Sequence, residues 1–363
     1  MIMGETEKRK LIVSMTSYPA RIQYVPRVLE SLKRQTHPAD RIVLYLSVDQ
    51  YPGKEKDLPE ELRRMAEDGT AAIRWVRGDL KPHKKYFYAF QEFHSDLVLT
   101  ADDDVVYPEN MLECFLQTHE QHPGAVVAGR THLITVTHDG FPRPYPQWIQ
   151  RTTGFGDEPG MQLFAVGIGG VLYEPRLFPK ETYLEEVIRE TCLETDDLWL
   201  KAMEAAAGIP VVRTSLPELL PLIPGSQESS LFTANLLQGR NDENLAKIRE
   251  WMKQYYGKDL LREQLNNRSY PRIEGEDELL SYINSDRKQM LTGISRAFRR
   301  QEERISSLET QVQSLNGTVR DLQESTSFRI GNRIVKMLSV FSGTKTKNTS
   351  GTVHQPNKNS KES

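Results

Sequence analysis

Up to about residue 215, the hydrophobic pattern alternates between two periods. The runs "KLIVSMT" (10–16), "RIVLYLS" (41–47), "AAIRWV" (71–76) and "DLVLTA" (96–101) read as strands. Between them lie amphipathic stretches: Val25 to Leu32, "LPEELRRMAEDG" (58–69) ending at a glycine, and "KKYFYAFQEF" (84–93). Strands separated by helices of this length predict an α/β fold of parallel βαβ units, with helices covering a mostly parallel sheet. Pro108 is expected to open the next helix, since its missing N–H is no loss in a first turn. Further on, "DDLWLKAMEAAAG" (196–208) reads as a helix closed by Gly208, followed by the strand-like "IPVVRT" (209–214).

Residues 131–174 have a different texture. They hold "HLITVTHDGF", an Asp-Gly turn between β-rich flanks, then proline-rich "PRPYPQW" and glycine-rich "GIGGVLYEP". This predicts antiparallel strand and loop inserted into the α/β scaffold. From about residue 270 the pattern changes again. Leu291, Phe298, Ile305, Val312 and Val319 fall seven apart, with Ile294, Gln301, Leu308, Leu315 and Leu322 three residues after each. Such a sustained a/d pattern predicts a coiled coil, and mostly β-branched residues at a with leucine at d favour a parallel homodimer. One long helix packed on its own domain is the alternative. In "SFRIGNRIVKMLSVF" (327–341), Ile330, Ile334, Met337, Leu338 and Phe341 share a helical face, with Arg329, Arg333 and Lys336 largely off it. A basic amphipathic helix of this kind suits an anionic membrane surface, and a partner helix suits it nearly as well. The final "SGTKTKNTSGTVHQPNKNSKES" has almost nothing to bury and is expected to be disordered. The expected organisation is a catalytic domain over 1–265, a connector over 266–288, the coiled coil over 289–324, the basic helix over 325–342 and a tail over 343–363.

Composition narrows the function classes. A net charge of −3 argues against nucleic acid as the main partner. Cys114 and Cys192 suggest neither a disulfide framework nor a zinc spacing. The apolar run near the N-terminus is too short for a signal segment or a spanning helix, so a cytoplasmic protein is expected, with peripheral contact at the inner membrane face as an extension.

The stretch "LVLTADDDVVYPENM" (97–111) carries the chemistry. Asp102, Asp103 and Asp104 repel one another, and aspartate is disfavoured in strands, so something positive is expected beside them. Ligands of open α/β sheets bind beyond the carboxyl ends of strands, where this cluster falls. Hard oxygen donors there suit Mg²⁺ or Mn²⁺ held by one or two carboxylates plus substrate phosphates. The plain structural alternative is an acidic turn capping a helix near Pro108, though a cap needs one aspartate rather than three.

"TADDDVVYP" after a strand, "SMTSYPARI" near the N-terminus, "GIGGVLYEP" in the middle and "ETDDLWLKAMEAAAGI" later together resemble family 2-like glycosyltransferases of the GT-A fold. The resemblance is closest to bacterial enzymes of surface-polysaccharide assembly. It spans roughly residues 10–255 and leaves out the heptads and the tail. It implies a nucleotide-sugar-dependent, hexosyltransferase-like enzyme. Asp102 and Asp104 match the two acids of the DxD motif, the last on the metal that bridges the donor diphosphate, the first facing the ribose or a metal-bound water. Asp103 between them is counted with the donor-binding residues. Thr16, Ser17 and Tyr18 match the loop that holds the nucleotide base, and Lys84 and Lys85 fall near a basic position of the superfamily. Solvated helix lysines are the alternative for that last pair.

Asp196 and Asp197 match the acid pair that supplies the general base. The family usually shows Glu-Asp, and counting back from Gly208 puts Asp197 in the base position. Helix-dipole stabilisation is the structural alternative, and which of the two acts stays open. Gly169 and Gly170, with Gly167, match a motif beside the acceptor, where glycine permits close backbone approach. Trp148 and Trp199 are candidates to stack on an acceptor sugar, with core burial as the alternative. Two departures stand out. Leu46 and Ser47 occupy the place of a base-reading aspartate, for which Asp49 is the substitute, and no histidine follows Asp197 before His354. The mechanism implied is a single inverting displacement onto a hydroxyl of a glycan or lipid-linked acceptor. A metal-dependent nucleotidyl- or phosphotransferase, and a non-catalytic sugar-binding scaffold, are the competing classes.

Overall fold

The computed structural model of the chain describes residues 9–267, apart from 151, 153–156, 218–219 and 227–238, and then 306–308, 310–318, 320–321, 325, 330–331 and 333–335. The chain divides into two units, Met1–Lys288 and Gln289–Ser363. In the first unit the strands are β1 (Leu11–Thr16), β2 (Arg41–Ser47), β3 (Ala72–Val76), β4 (Leu97–Ala101), β5 (Val126–Ala128), β6 (Thr131–Leu133), β7 (Ile149–Gln150), β8 (Leu163–Ala165), β9 (Val171–Tyr173) and β10 (Val211–Arg213). The helices are α1 (Val25–Lys33), α2 (Glu60–Glu67), α3 (Lys84–Glu92), α4 (Met111–Gln121), α5 (Glu185–Thr191), α6 (Asp196–Ala207), α7 (Arg240–Tyr256) and α8 (Leu260–Asn266).

Seven strands form the main sheet in the order β10-β5-β9-β4-β1-β2-β3. All neighbours pair in parallel except β9, which is antiparallel to both β4 and β5. The chain steps outward from β1 to β2 and β3, then returns to lay β4 on the other side of β1. The strand order therefore reverses between β1 and β4, with Met15 beside Ala101 in register.

Helices cover both faces. Leu11, Val13, Met15, Leu44, Leu97 and Leu99 pack with apolar residues of α1, α2 and α4. The alternate residues Ile12, Val43, Tyr45 and Val98 pack with those of α3, α6, α7 and α8. Burial on both faces is why these strands read as unbroken apolar runs. Each buried aliphatic side chain contributes about 1.5–3 kcal/mol, so the two apolar faces fix the sheet's position between its helix layers.

The helix expected from Pro108 begins at Met111 instead. The Pro108 carbonyl accepts the Met111 N–H at 3.1 Å and the Gln35 side-chain amide at 2.8 Å, while Gln35 accepts the Leu112 N–H at 3.0 Å. Pro108 thus forms the turn before the helix, and the Gln35 amide caps the first turn from outside.

In 131–174, β6, β7 and β8 form a separate antiparallel sheet in the order β7-β6-β8, and β9 rejoins the main sheet. The Asp139-Gly140 turn is present: Thr137 donates to Phe141 O at 2.8 Å, and Gly140 takes φ 76°. Phe141 beyond it lies under the guanidinium of Arg262, 3.8 Å from the ring centroid.

In the second unit, residues 306–308, 310–318 and 320–321 are helical. Leu308, Val312 and Leu315, which are d, a and d of the heptads, are 52%, 54% and 65% exposed. The remaining seam positions, residues 268–288 and the tail 343–363 lie outside the described residues. Ile330, Ile334 and Val335 are exposed too, and among the described residues no helix is long and apolar enough to cross a membrane.

Candidate active site

The reversal between β1 and β4 creates the crevice in which ligands of open α/β sheets bind. Two loops leave the sheet side by side there: Ser17-Tyr18 after β1, and Asp102 to Asp104 after β4. The positive partner demanded by three adjacent carboxylates is Arg21, on the first loop. Its Nη1 lies 3.1 Å from Asp103 Oδ1 and 2.9 Å from Asp104 Oδ2. Ser17 Oγ donates to Asp103 Oδ2 at 2.6 Å. Burial pushes the Asp103 carboxyl up to about 6, and the Ser17 and Arg21 contacts only partly offset it.

Asp102 is held differently. Its backbone N–H donates to the Tyr107 hydroxyl at 2.8 Å, and its Oδ1 accepts from Lys85 Nζ at 2.8 Å. Lys85 also lies 3.2 Å from Asp196 Oδ2. A helix that precedes a parallel strand starts at the carboxyl end of the sheet. α3 precedes β4 and α6 precedes β10, so the first turns of both helices, with Lys85 and Asp196, arrive at the same rim. Burial alone would lower the Lys85 ammonium, but Asp102 and Asp196 hold it above the ordinary lysine range.

Asp197 is half-buried beside Asp196, and its Oδ1 accepts the Leu198 N–H at 2.9 Å. Burial first, then the neighbouring Asp196 charge, push its carboxyl up to about 7. A carboxyl in that range can exchange a proton near neutral pH. The glycine loop closes the site from β9's side: a Cβ on Gly167 would lie 3.3 Å from Lys85 Nζ and 4.0 Å from Asp102 Oδ2. Gly169 and Gly170 take φ 104° and 88°, a left-handed region that favours glycine.

The other expected residues are distributed as follows. Thr16 Oγ1 donates to Tyr45 O at 2.8 Å, and the Tyr18 ring lies 5.9 Å from the Arg21 guanidinium carbon. Asp49 accepts the Gly78 N–H at 2.9 Å, joining the ends of β2 and β3. Lys84 is buried against Asp79 and reaches Gln50 Oε1 at 3.3 Å. Neither lysine of α3 is a solvated surface residue.

Trp148 and Trp199 are 1% and 0% exposed, with their indole N–H groups on Arg143 O and Thr182 O. Both rings are enclosed by the core, so neither has an open face for a sugar. Arg21, Tyr107, Asp79 and Gln50 were not expected from sequence. Only Arg21 had a signal, the need for a cation, yet it lies 82 residues before its partner Asp103.

Among the described residues no group of three or more His, Cys, Asp or Glu side chains forms a metal cage. The donor chemistry nevertheless fits a divalent cation whose shell is completed by substrate, because such ions take one or two carboxylates plus phosphate oxygens. Asp102 and Asp104 are hard oxygen donors at the switch point. Five carboxylates cluster around Arg21 and Lys85, so the acids outnumber the cations that touch them.

Residues 13–161 match the family model for glycosyl transferase family 2. No curated protein matches the chain. Similar solved structures include S. aureus TarS 1–349 in complex with UDP, at 14% identity over 68% of this chain and 72% of that one, with a TM-score of 0.36. The mannosyltransferase PcManGT from Pyrobaculum calidifontis, in complex with GDP-Man and Mn²⁺, is 14% identical over 94% of this chain and 89% of that one, with a TM-score of 0.42. The 4-diphosphocytidyl-2C-methyl-D-erythritol synthase from Anaerococcus prevotii is 16% identical over 63% and 96%, with a TM-score of 0.36. The ligands held in those structures belong to those proteins. Through residues 13–161, the α/β domain of this chain is similar to glycosyl transferase family 2.

Proposed function

We propose that the protein moves a sugar from a nucleotide-sugar donor to a hydroxyl of a glycan or lipid-linked acceptor, with inversion, in the assembly of a cell-surface polysaccharide. The observation that carries this reading is the meeting of two acid groups, Asp102–Asp104 and Asp196–Asp197, at one rim of the sheet through Lys85. The first group serves the donor and the second the acceptor. Ser17 and Arg21 orient the donor-side carboxylates, and Thr16, Tyr18 and Asp49 line the nucleotide end. A divalent cation, Mn²⁺ or Mg²⁺, would be held by Asp104 with Asp102 nearby, and supplies charge neutralisation for the leaving diphosphate when bound. The acid pair takes the proton of the acceptor hydroxyl as its oxygen bonds to the anomeric carbon. The bond from that carbon to the diphosphate breaks, and its electron pair leaves with the diphosphate. Gly167, Gly169 and Gly170 let the backbone approach the acceptor.

The test is a panel of nucleotide sugars with purified protein and Mn²⁺ or Mg²⁺, reading release of nucleoside diphosphate. One donor consumed by the wild type and spared by Asp104→Ala supports the reading. Release that is absent for every donor, or indifferent to Asp104→Ala, contradicts it and favours a binding scaffold.

Two organisational features complete the proposal. The exposed seam Leu308, Val312 and Leu315 would pair two chains in a coiled coil. The basic helix over 325–342 would hold the cytoplasmic enzyme at the inner membrane face, near lipid-linked acceptors. Light scattering that finds the intact chain monomeric removes the first. Liposome binding unchanged after deletion of 325–342 removes the second.

A further inference from the structure

Both lysines that open α3 are buried, Lys84 at 2% and Lys85 at 5% exposure. A cation in the first turn of a helix faces the positive end of its dipole, which costs about 0.3–1 kcal/mol. Burying an ammonium costs several kcal/mol more unless it is paired. Each lysine therefore needs a compensating partner. Lys84 finds one locally in Asp79, five residues earlier. Lys85 instead draws on two distant elements, Asp102 after β4 and Asp196 at the start of α6. Its backbone carbonyl is fixed by the Ser14 hydroxyl from inside β1, and the missing side chain at Gly167 leaves room for the ammonium. The cation is thus held at both ends, with its charge between the donor-side and acceptor-side carboxylates.

We propose that Lys85 is a positioning residue that ties the donor-side Asp102 to the acceptor-side Asp196, and so fixes the charge beside Asp197. This rests on the glycosyl-transfer reading for its consequence, but not for its geometry. Asp196 is committed to the ion pair, whereas Asp197 has no ion-pair partner among the described residues and spends one oxygen on the Leu198 N–H. The charged and titratable groups facing Asp197 are Asp196 on its own helix, Lys85 from α3, Asp102 after β4, Tyr145 from the inserted segment, Tyr173 on β9 and Cys192 before α6. Among these, Asp196 and Lys85 act on Asp197 in opposite directions, the first favouring its protonated form and the second its carboxylate.

The opposition gives a test that a merely structural lysine would not pass. The pH dependence of acceptor-dependent transfer is compared for wild type, Lys85→Met, Lys85→Arg and Asp196→Asn. The same four full-length proteins, with ¹³C-labelled aspartate, are titrated by NMR without substrate. The acidic limb is expected to move up by about one pH unit in Lys85→Met and down by about one unit in Asp196→Asn, the size expected for loss of a neighbouring charge. Lys85→Arg should stay near wild type. Unmoved limbs, or limbs that move the same way in both variants, overturn the proposal. So does a Lys85→Met variant that raises only the donor KM, since Lys85 would then be a donor ligand alone. If Lys85→Met does not fold, Asp196→Asn and Lys85→Arg carry the test. If the wild type turns over no donor, the glycosyl-transfer reading fails by itself. The NMR titration then decides the Lys85 link separately: opposite shifts of the Asp197 carboxyl sustain it, and absent shifts overturn it.

Discussion

Asp102–Asp104 and Asp196–Asp197 are both acidic runs at the end of an element, yet the protein meets their charge in different ways. The first follows a strand and is divided among partners, with Asp103 and Asp104 on Arg21, Asp103 also on Ser17, and Asp102 on Lys85. The second opens a helix, whose dipole favours acids there, and touches Lys85 through Asp196 alone. Asp197 is left as a carboxyl pushed up to about 7. A cluster rich in hard oxygens and braced by fixed cations suits a charged ligand. A carboxyl poised near neutral pH suits proton transfer. The two runs therefore fit the donor and acceptor roles proposed for them.

Removing either half should break that comparison in a characteristic way. The largest effect is expected from Asp197→Asn, which should lower kcat by about 10²–10⁴-fold, the usual contribution of a general base. Donor affinity should be kept, as read from nucleoside diphosphate binding. Asp104→Ala should cost about 10²–10³-fold in turnover, with the loss appearing first in metal-dependent donor binding. Trp199→Ala sharpens the comparison from outside the site. Its ring is enclosed by core, so the variant should lose about 3–5 kcal/mol of stability in a denaturant titration without a selective change in acceptor KM. The smallest effect concerns Asp103. Its folded carboxyl is raised above the ordinary value, so its stabilising contribution is full below about 4 and fades as pH rises through about 6. Asp103→Asn should therefore gain relative to wild type between pH 4 and 7, by about 6–12 °C in Tm, the shift of roughly 3 kcal/mol in a domain of this size.

Much of the proposed donor half was legible in the sequence, because β1, β2 and β4 are buried on both faces and written as apolar runs. Their carboxyl ends then located Asp102 to Asp104 without any knowledge of side-chain contacts. The identity of the cation was not legible. Arg21 reaches its partners only because the strand order reverses between β1 and β4, a pairing that no local pattern encodes. Lys84 and Lys85 were ambiguous for a related reason, since a helical pattern marks which face is apolar but not that a lysine is drawn inward by acids outside the helix. Pro108 was misread because its carbonyl is engaged by the Gln35 amide, so the helix starts three residues later. In the 131–174 segment the turn was legible at Asp139-Gly140. So was antiparallel strand in general, but the bounds and order of the three strands were not, as two or three residues carry no period. Trp148 and Trp199 show the limit of residue type as evidence: an indole serves a core or a sugar equally well until its burial is known.

The division into donor and acceptor halves is tested most directly by calorimetric titration with UDP, GDP, CDP and dTDP, with and without Mn²⁺. Wild type, Asp104→Ala and Asp197→Asn are compared, and neither the donor sugar nor the acceptor need be known. The account predicts that one nucleotide binds the wild type in a Mn²⁺-dependent way, that Asp197→Asn binds it equally well, and that Asp104→Ala loses the metal-dependent part. Binding that ignores Mn²⁺, or that falls as far in Asp197→Asn as in Asp104→Ala, would contradict it.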